Sequence, residues 1–302
     1  MILELASIFF NVITPVFALV IIGYFAGPRL GLDARTLSRG AYFILIPAFI
    51  FNVIGSASIE AALAARMIGF AALVHILIAL VGGGIAILLR KPPSMIGAYT
   101  LIAVFGNVGN FGLPIIEFHL GEEALAAATV YFLAILVVSF VIGVVAANWF
   151  TGGSMAAVLA VFKTPALIAV VPAVLVNVLA IEVPIMVTRI TGLLGQAMVP
   201  TMLLALGVQL SGNSQIRLDR DMMIASSIRL LGSPLLAILL VGTFGLTGIE
   251  RGAGILQSAM PAAVLTSIIA LEYNLLPDFV TQTVLFSNLA SVVTLTFLIA
   301  FI

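Results

Sequence analysis

The chain has 302 residues, of which 63% are hydrophobic and only 8% are charged, and its formal net charge is zero. A soluble domain carries about 25% charged residues, so this composition excludes a solvated globular surface. The balanced charge gives no electrostatic reason to expect nucleic acid as a partner. Because the chain lacks cysteine, neither a disulfide framework nor a thiolate site can form. The composition therefore predicts an all-α integral membrane protein surrounded by a lipid bilayer.

Apolar blocks follow one another along the chain, and a block of about 20 residues is long enough to span a bilayer as a helix. The first block follows Glu4 and is too long for a signal peptide, so it is interpreted as a span. The sequence predicts ten spans in all, at residues 8–26, 37–54, 67–89, 96–118, 124–150, 165–181, 190–210, 223–246, 252–271 and 279–302. The predicted organisation is a first five-helix repeat at 1–150, a short cytoplasmic link at 151–164 and a second repeat at 165–302.

The basic residues predict the orientation of these spans, because cytoplasmic loops carry an excess of Lys and Arg. With the N-terminus outside, only Arg66, Arg189 and Arg251 would lie on the outer side. The nine other basic residues would lie on the inner side, including Arg229, which is expected to extend toward the inner interface. Ten spans then place both termini on the non-cytoplasmic side of the cytoplasmic membrane.

Two polar residues lie within the early spans. Asn52 is in the second block and is a candidate for lining a solute site, although polar groups also hold membrane helices together. His75 lies in the middle of the third block. It is a candidate proton relay or, equally, a core histidine with satisfied hydrogen bonds.

The fourth block contains FGNVGNFGLP, which holds three Gly, two Asn and one Pro in ten residues. Because Gly costs about 1 kcal/mol in a helix and Pro about 3 kcal/mol, this segment predicts two half-helices. The break is expected between Gly106 and Leu113. The amides of Asn107 and Asn110 could cap backbone groups freed by the break or, with the backbone around Gly109, face a polar ligand. Pro114 is expected to begin the second half-helix. Glu117, near the end of this block, is a candidate for ion or proton coupling.

The ninth block contains ILQSAMPAAVLTSII, in which Pro261 lies mid-span. Ser258 is expected to cap the second half-helix, and Gln257 adds one more polar group. Both residues, with Pro114 and Pro261, are candidates for the solute site. Glu272, near the end of this block, is a second candidate coupling acid. Asn288 in the tenth block is a further candidate for the solute site.

Short segments of the two halves match at a nearly constant offset. Pro47 matches Pro200 at an offset of 153, and Glu117 matches Glu272 at an offset of 155. Because each half has five spans, the second copy would be inserted upside down. Inverted repeats with two interrupted spans in corresponding positions are typical of secondary transporters. Chance similarity between apolar helices is the alternative interpretation.

Three segments carry a resemblance to a known family: GNVGNFGLP (Gly106–Pro114), VPTMLLALGVQL (Val199–Leu210) and QSAMPAAVL (Gln257–Leu265). In their order and spacing they resemble the auxin efflux carrier family, which includes plant auxin carriers and bacterial malate and malonate permeases. The resemblance implies ten helices in two inverted five-helix repeats, with broken crossover helices four and nine. It also implies a scaffold of helices one, two, six and seven, often dimeric, so a homodimer is expected.

The sequence departs from the plant members in two ways. Plant members have a long cytoplasmic loop between helices five and six, whereas the link here is short. They also place Asn and Pro side by side at the first crossover, whereas Asn107 and Asn110 are separated from Pro114.

These features predict a secondary transporter that moves a small organic anion, a carboxylate, by alternating access. Na⁺, H⁺ or no ion could be coupled. A cation/proton exchanger of similar architecture is an alternative, although no predicted span has an acid near its centre. A membrane sensor or channel also remains open. An intramembrane enzyme would need a nucleophile–base pair, an acid dyad or a metal cluster, so no enzyme, metal or cofactor is predicted.

Overall fold

The computed structural model describes residues 2–151, 163–212 and 218–302, which are helical apart from short connections and one isolated backbone bridge. Most of the predicted link at 151–164 lies outside the described residues. The helices, labelled in chain order, are α1 Leu5–Leu30, α2 Ala34–Gly55, α3 Ala61–Leu88, α4 Pro93–Val104, α5 Leu113–Leu120, α6 Leu125–Thr151, α7 Pro165–Val178, α8 Ile185–Ser211, α9 Arg220–Phe244, α10 Gly248–Ala259, α11 Val264–Glu272 and α12 Pro277–Ile299.

Within the described ranges, seven helical stretches are long and apolar enough to span a bilayer, which makes the chain a multi-pass membrane protein. They correspond to α1, α2, α3, α6, α8, α9 and α12. The predicted fourth and ninth spans are each divided into two shorter helices, and the predicted sixth is the 14-residue α7. Helix length alone therefore accounts for seven of the ten predicted spans.

Wide π turns precede four of the prolines. They occupy Phe9–Ile13, Ala41–Leu45, Val108–Gly112 and Ile228–Gly232, and each ends two residues before a proline. Proline has no backbone N–H to donate, and its ring collides with the carbonyl four residues earlier. An added residue in the preceding turn moves that carbonyl aside, which lets the helix continue through the proline.

Local capping explains where two helices begin. The Asp33 carboxylate accepts a hydrogen bond of 2.8 Å from the Thr36 N–H at the start of α2. Asp219 does the same at α9, accepting from the Met222 N–H at 2.8 Å. These side chains satisfy N–H groups that have no partner within the helix.

The helices pack in two groups. Helix α8 packs along α1 and α2, and α7 packs on α2. The second group contains α3, α4 and α6, which contact one another, together with α9 to α12. The groups touch in several places, among them the π turn Val108–Gly112 against α8 and α2 against α6. Helices α4 and α10 therefore end inside the protein, next to this boundary.

Candidate functional site

The two interrupted helices meet at their breaks. After α4 the chain is extended at Phe105, and after α10 it is extended at Met260. The Asn107 N–H donates to the Pro261 carbonyl at 2.7 Å, and the Ala263 N–H donates to the Phe105 carbonyl at 2.8 Å. These two bonds form an antiparallel bridge, here called the paired breaks, between residues 105–107 and 260–263. The backbone groups released by each break are satisfied in part by the other break.

The first break is shorter than the sequence predicted. An interruption was expected from Gly106 to Leu113, but helical structure resumes at Val108 as a π turn that continues into α5. Asn110 and Pro114 therefore lie within helical structure rather than in the break. The wide turn accommodates Pro114, so this proline does not need a non-helical segment before it.

Polar side chains from neighbouring helices hold the remaining backbone groups. Asn288 of α12 donates to the Ala262 carbonyl at 3.0 Å, and its Oδ1 accepts from the Asn107 amide at 3.4 Å. The Ser287 hydroxyl accepts from the Ala262 N–H at 3.1 Å. On the other side, the Ser139 hydroxyl of α6 donates to the Val104 carbonyl at 2.8 Å. Asn288 thus contacts both sides of the paired breaks.

Arg229 lies beside the paired breaks and has no exposed surface. Its Nε donates to the Met260 carbonyl at 2.8 Å, Nη1 to the Ala103 carbonyl at 2.9 Å and Nη2 to the Ser258 carbonyl at 3.2 Å. The prediction that Arg229 extends toward the inner interface is therefore wrong. A cation held by backbone carbonyls of α4 and α10 is stabilised inside the protein and has no need to reach the lipid headgroups.

Close contacts explain why two positions near the breaks are occupied by glycine. A Cβ added at Gly106 would collide with Nη2 of Arg229, and one added at Gly112 would collide with Oε1 of Gln257. Gln257 is fully buried and donates to the Ala128 carbonyl at 3.1 Å, while its Oε1 has no hydrogen-bond partner among the described residues. The predicted site residue Gln257 therefore packs directly on the π turn that follows the first break.

The helical segments that follow the two breaks begin without side-chain caps. Asn107 and Ala263 occupy the capping positions of the π turn and of α11, and neither cap is closed by a side-chain hydrogen bond. Ser258 was expected to cap α11, but its hydroxyl donates to the Gly254 carbonyl at 2.8 Å within α10. This prediction is wrong because a serine inside a helix readily bonds the carbonyl four residues earlier.

The other predicted solute-site residues are less closely tied to the paired breaks. Asn110 and Gly109 are half-buried on the π turn, and the Asn110 amide makes no hydrogen bond within the described part of the chain. Pro114 is buried at the start of α5. Asn52 is half-buried on α2, and no hydrogen bond among the described residues joins its side chain to the breaks.

The candidate coupling residues lie in different surroundings. His75 is fully buried; its Nδ1 lies 2.8 Å from the Ala71 carbonyl, and Nε2 has no partner among the described residues. Glu117 is half-buried on α5, and the Glu272 side chain lies outside the described part of the structure. No group of three or more His, Asp or Glu side chains in the described ranges could hold a metal ion.

A cavity of about 290 Å³ lies between α8, α11 and α12. Its lining extends from Asp278, at the start of α12, to Val264, the first residue of α11. Gln209, Ser267 and Thr281 supply its other polar groups. The cavity therefore runs along α11 from one end of the helix bundle to the residue next to the second break.

Sequence reasoning missed three residues that hold the paired breaks: Arg229, Ser139 and Ser287. One signal could have identified Arg229, since it lies 154 residues after His75 and this separation matches the offset between the halves. The two serines carry no comparable signal, because serine is common in membrane helices and these bond backbone that is distant in sequence.

Comparisons with known proteins indicate membrane transport. Residues 154–299 match the model of a family described as "Membrane transport protein". A protein of Methanothermobacter thermautotrophicus, described as an uncharacterized transporter, is 28% identical over 93% of this chain and 94% of its own length. An uncharacterized transporter of Methanocaldococcus jannaschii is 26% identical over 88% of this chain and 89% of its own. The chain is therefore similar to membrane transport proteins, in agreement with the resemblance of its sequence to the auxin efflux carrier family.

Proposed function

We propose that this protein is a secondary transporter that moves a small organic anion, a carboxylate, across the cytoplasmic membrane by alternating access. The observation that carries the proposal is the antiparallel pairing of two interrupted helices through their breaks. Interrupted helices that meet inside a bundle are a recurrent way of building a solute site near the bilayer midplane. No covalent chemistry is proposed, so the protein is not an enzyme in this scheme.

The N-terminal ends of the helical segments after the breaks favour a negatively charged solute. The segments that begin at Val108 and Val264 carry partial positive charge at their N-termini and have no side-chain caps. Asn110, on the first of these segments, has an amide that is free to donate. A carboxylate has two oxygens that can accept from such groups, so it would satisfy several donors at once.

The packing supports the predicted architecture of ten spans in two inverted repeats. Antiparallel pairing of the two breaks is expected when the second repeat is inserted upside down. The group of α1, α2, α7 and α8 matches the scaffold that the family resemblance implies, and the remaining helices would form the moving domain. We further propose that the scaffold forms a homodimer and that both termini lie outside the cell.

The cavity along α11 supplies an access route in this scheme. It lies between α8 of the scaffold and α11 and α12 of the moving domain, and reaches Val264 beside the second break. Under the proposed orientation, its end at Asp278 lies on the cytoplasmic side. Movement of α11 and α12 against α8 would close this route, and an equivalent route would open on the other side.

An uptake experiment tests the solute. The purified protein is reconstituted in liposomes, and uptake of a panel of mono- and dicarboxylates is measured for the wild type and for Asn110→Ala. Removing the amide is expected to weaken solute binding by about 1–3 kcal/mol, the cost of an unmade buried hydrogen bond. Asn11→Ala is the matched control, because Asn11 lies on the exposed face of α1 and bonds only Ser7.

If Asn110→Ala and Asn107→Ala both take up the solute as the wild type does, the solute binds elsewhere in the protein. Cation flux without uptake of any carboxylate would instead favour the cation/proton exchanger. Binding without uptake would favour a sensor. Uptake driven by imposed Na⁺ or H⁺ gradients identifies the coupled ion.

The absence of cysteine allows a direct test of the access route. Ser267→Cys, which introduces a thiol into the cavity, is expected to react with a membrane-impermeant thiol reagent from the cytoplasmic side only. Ser291→Cys on α12 is the control, because Ser291 is fully buried and should react slowly from either side. Equal reaction of Ser267→Cys from both sides would contradict the proposed route.

A further inference from the structure

The guanidinium of Arg229 has an unusual set of partners for a buried cation. It lies on the π turn Ile228–Gly232 of α9, is fully buried, and bonds only backbone carbonyls. No described carboxylate forms an ion pair with it. A buried charge normally requires a partner of opposite charge, so the carbonyls must provide the compensating field.

The carbonyls come from equivalent places in the two halves of the chain. Ala103 is in the last turn of α4, and Ser258 is in the last turn of α10. Their separation is 258 − 103 = 155 residues, the offset at which Glu117 matches Glu272. Met260, in the second break, supplies the third carbonyl. One side chain therefore joins the C-terminal ends of both interrupted helices.

The charges at this point balance without an acidic residue. The C-terminus of a helix carries roughly half a negative elementary charge, so two such ends together offset about one positive charge. Arg229 supplies that charge and also satisfies carbonyls that the helix ends leave without partners. The guanidinium and the two helix ends therefore neutralise one another, and no further ion is needed to balance their charge.

Carbonyls at the C-terminal ends of interrupted helices, and in the unwound segments that follow, are the groups with which many secondary transporters coordinate a coupling Na⁺. Here the guanidinium already takes three of these oxygens. We infer that Arg229 is a built-in cation that replaces a coupling Na⁺ at the paired breaks, and that this transporter does not use Na⁺ as its coupling ion. The inference rests on the proposed secondary transport but does not depend on which solute is carried.

Thermal unfolding of the full-length protein in detergent tests this inference without a transport assay. Arg229→Ala removes the cation and is expected to lower the melting temperature. Low-millimolar guanidinium chloride, added at constant ionic strength, should then raise the melting temperature of this variant saturably, by roughly 2 °C or more. Arg66→Ala is the matched control, because Arg66 also donates to a backbone carbonyl, that of Gly245, but at an exposed position. It should show no such response.

The wild-type protein gives a second measurement that does not depend on the variant folding. Replacing choline with Na⁺ at constant ionic strength is expected to leave the wild-type melting temperature unchanged. A saturable, Na⁺-specific rise would overturn the inference. The inference would also be overturned if guanidinium failed to raise the melting temperature of Arg229→Ala, or raised that of Arg66→Ala by the same amount. Because none of these measurements uses a carboxylate, failure of the proposed solute would leave their outcome intact.

Discussion

Gly106→Ala tests whether the paired breaks need the guanidinium of Arg229 where the structure places it. The new Cβ would overlap Nη2 and would lie only 3.0 Å from Cζ of Arg229. Either the backbone of the break or the guanidinium must therefore move. The bond from Nη2 to the Ser258 carbonyl, at 3.2 Å the longest of the three, is the one most readily lost.

Losing one hydrogen bond from a charged donor costs about 1.5–3 kcal/mol, and overpacking adds a similar amount unless the site relaxes. We expect a fall in melting temperature of roughly 5 °C or more, measured in detergent with a check of monodispersity. Gly84→Ala is the control, because a Cβ at Gly84 meets nothing within 4 Å. It should be neutral, or stabilising by up to about 1 kcal/mol.

A double variant separates the proposed contact from a general intolerance of alanine at Gly106. In the Arg229→Ala background the overlapping group is gone, so Gly106→Ala should lower the free energy of unfolding by less than it does in the wild type. The expected difference between the two backgrounds, which is the interaction energy of the pair, is about 0.5–3 kcal/mol. Wild-type stability of Gly106→Ala, or an equal cost in both backgrounds, would refute the contact.

Further expectations concern groups around the paired breaks and at one end of the bundle. Asn288→Ala should destabilise the protein by about 1–3 kcal/mol in thermal unfolding, because the buried Ala262 carbonyl loses a partner; Leu289→Ala, at an exposed neighbouring position, should change stability much less. Lys91→Met should cost less than about 1 kcal/mol, since the 2.7 Å Lys91–Asp221 bridge is partly exposed. If Glu117 carries a coupled proton, Glu117→Gln should flatten the pH dependence of liposome uptake, whereas an unchanged profile would remove it as the coupling group.

The breaks could be predicted because their cause is local. Glycines, asparagines and a proline within FGNVGNFGLP raise the cost of a regular helix wherever the segment lies in the fold. The extent of the first break was harder to predict, because a π turn lets the helix pass Pro114 and the sequence does not distinguish this from a longer interruption. The same turn places Asn110 within helical structure.

The partners of the breaks could not be predicted from local sequence. Arg229 bonds carbonyls of residues 126 and 29 to 31 positions away, and a positively charged residue in an apolar block is compatible with either the interface or the interior. Ser258 shows the same limitation on a smaller scale. Its position suggested a cap for the following helix, but its hydroxyl donates to a carbonyl in its own helix.

The π turn that carries Arg229 also has a consequence for the rotational phase of α9. Each residue of an α-helix advances the chain by about 100°, so the additional residue of a π turn changes the direction in which all later side chains point. Asp221, before the turn, bonds Lys91 and Tyr99, while Arg229 reaches the paired breaks. Deleting one residue between Ile228 and Gly232 would remove the wide turn, so the ring of Pro234 would again collide with the carbonyl four residues earlier, and the rest of α9 would rotate relative to Asp221. Asp221 and Arg229 could then no longer make their present contacts at the same time.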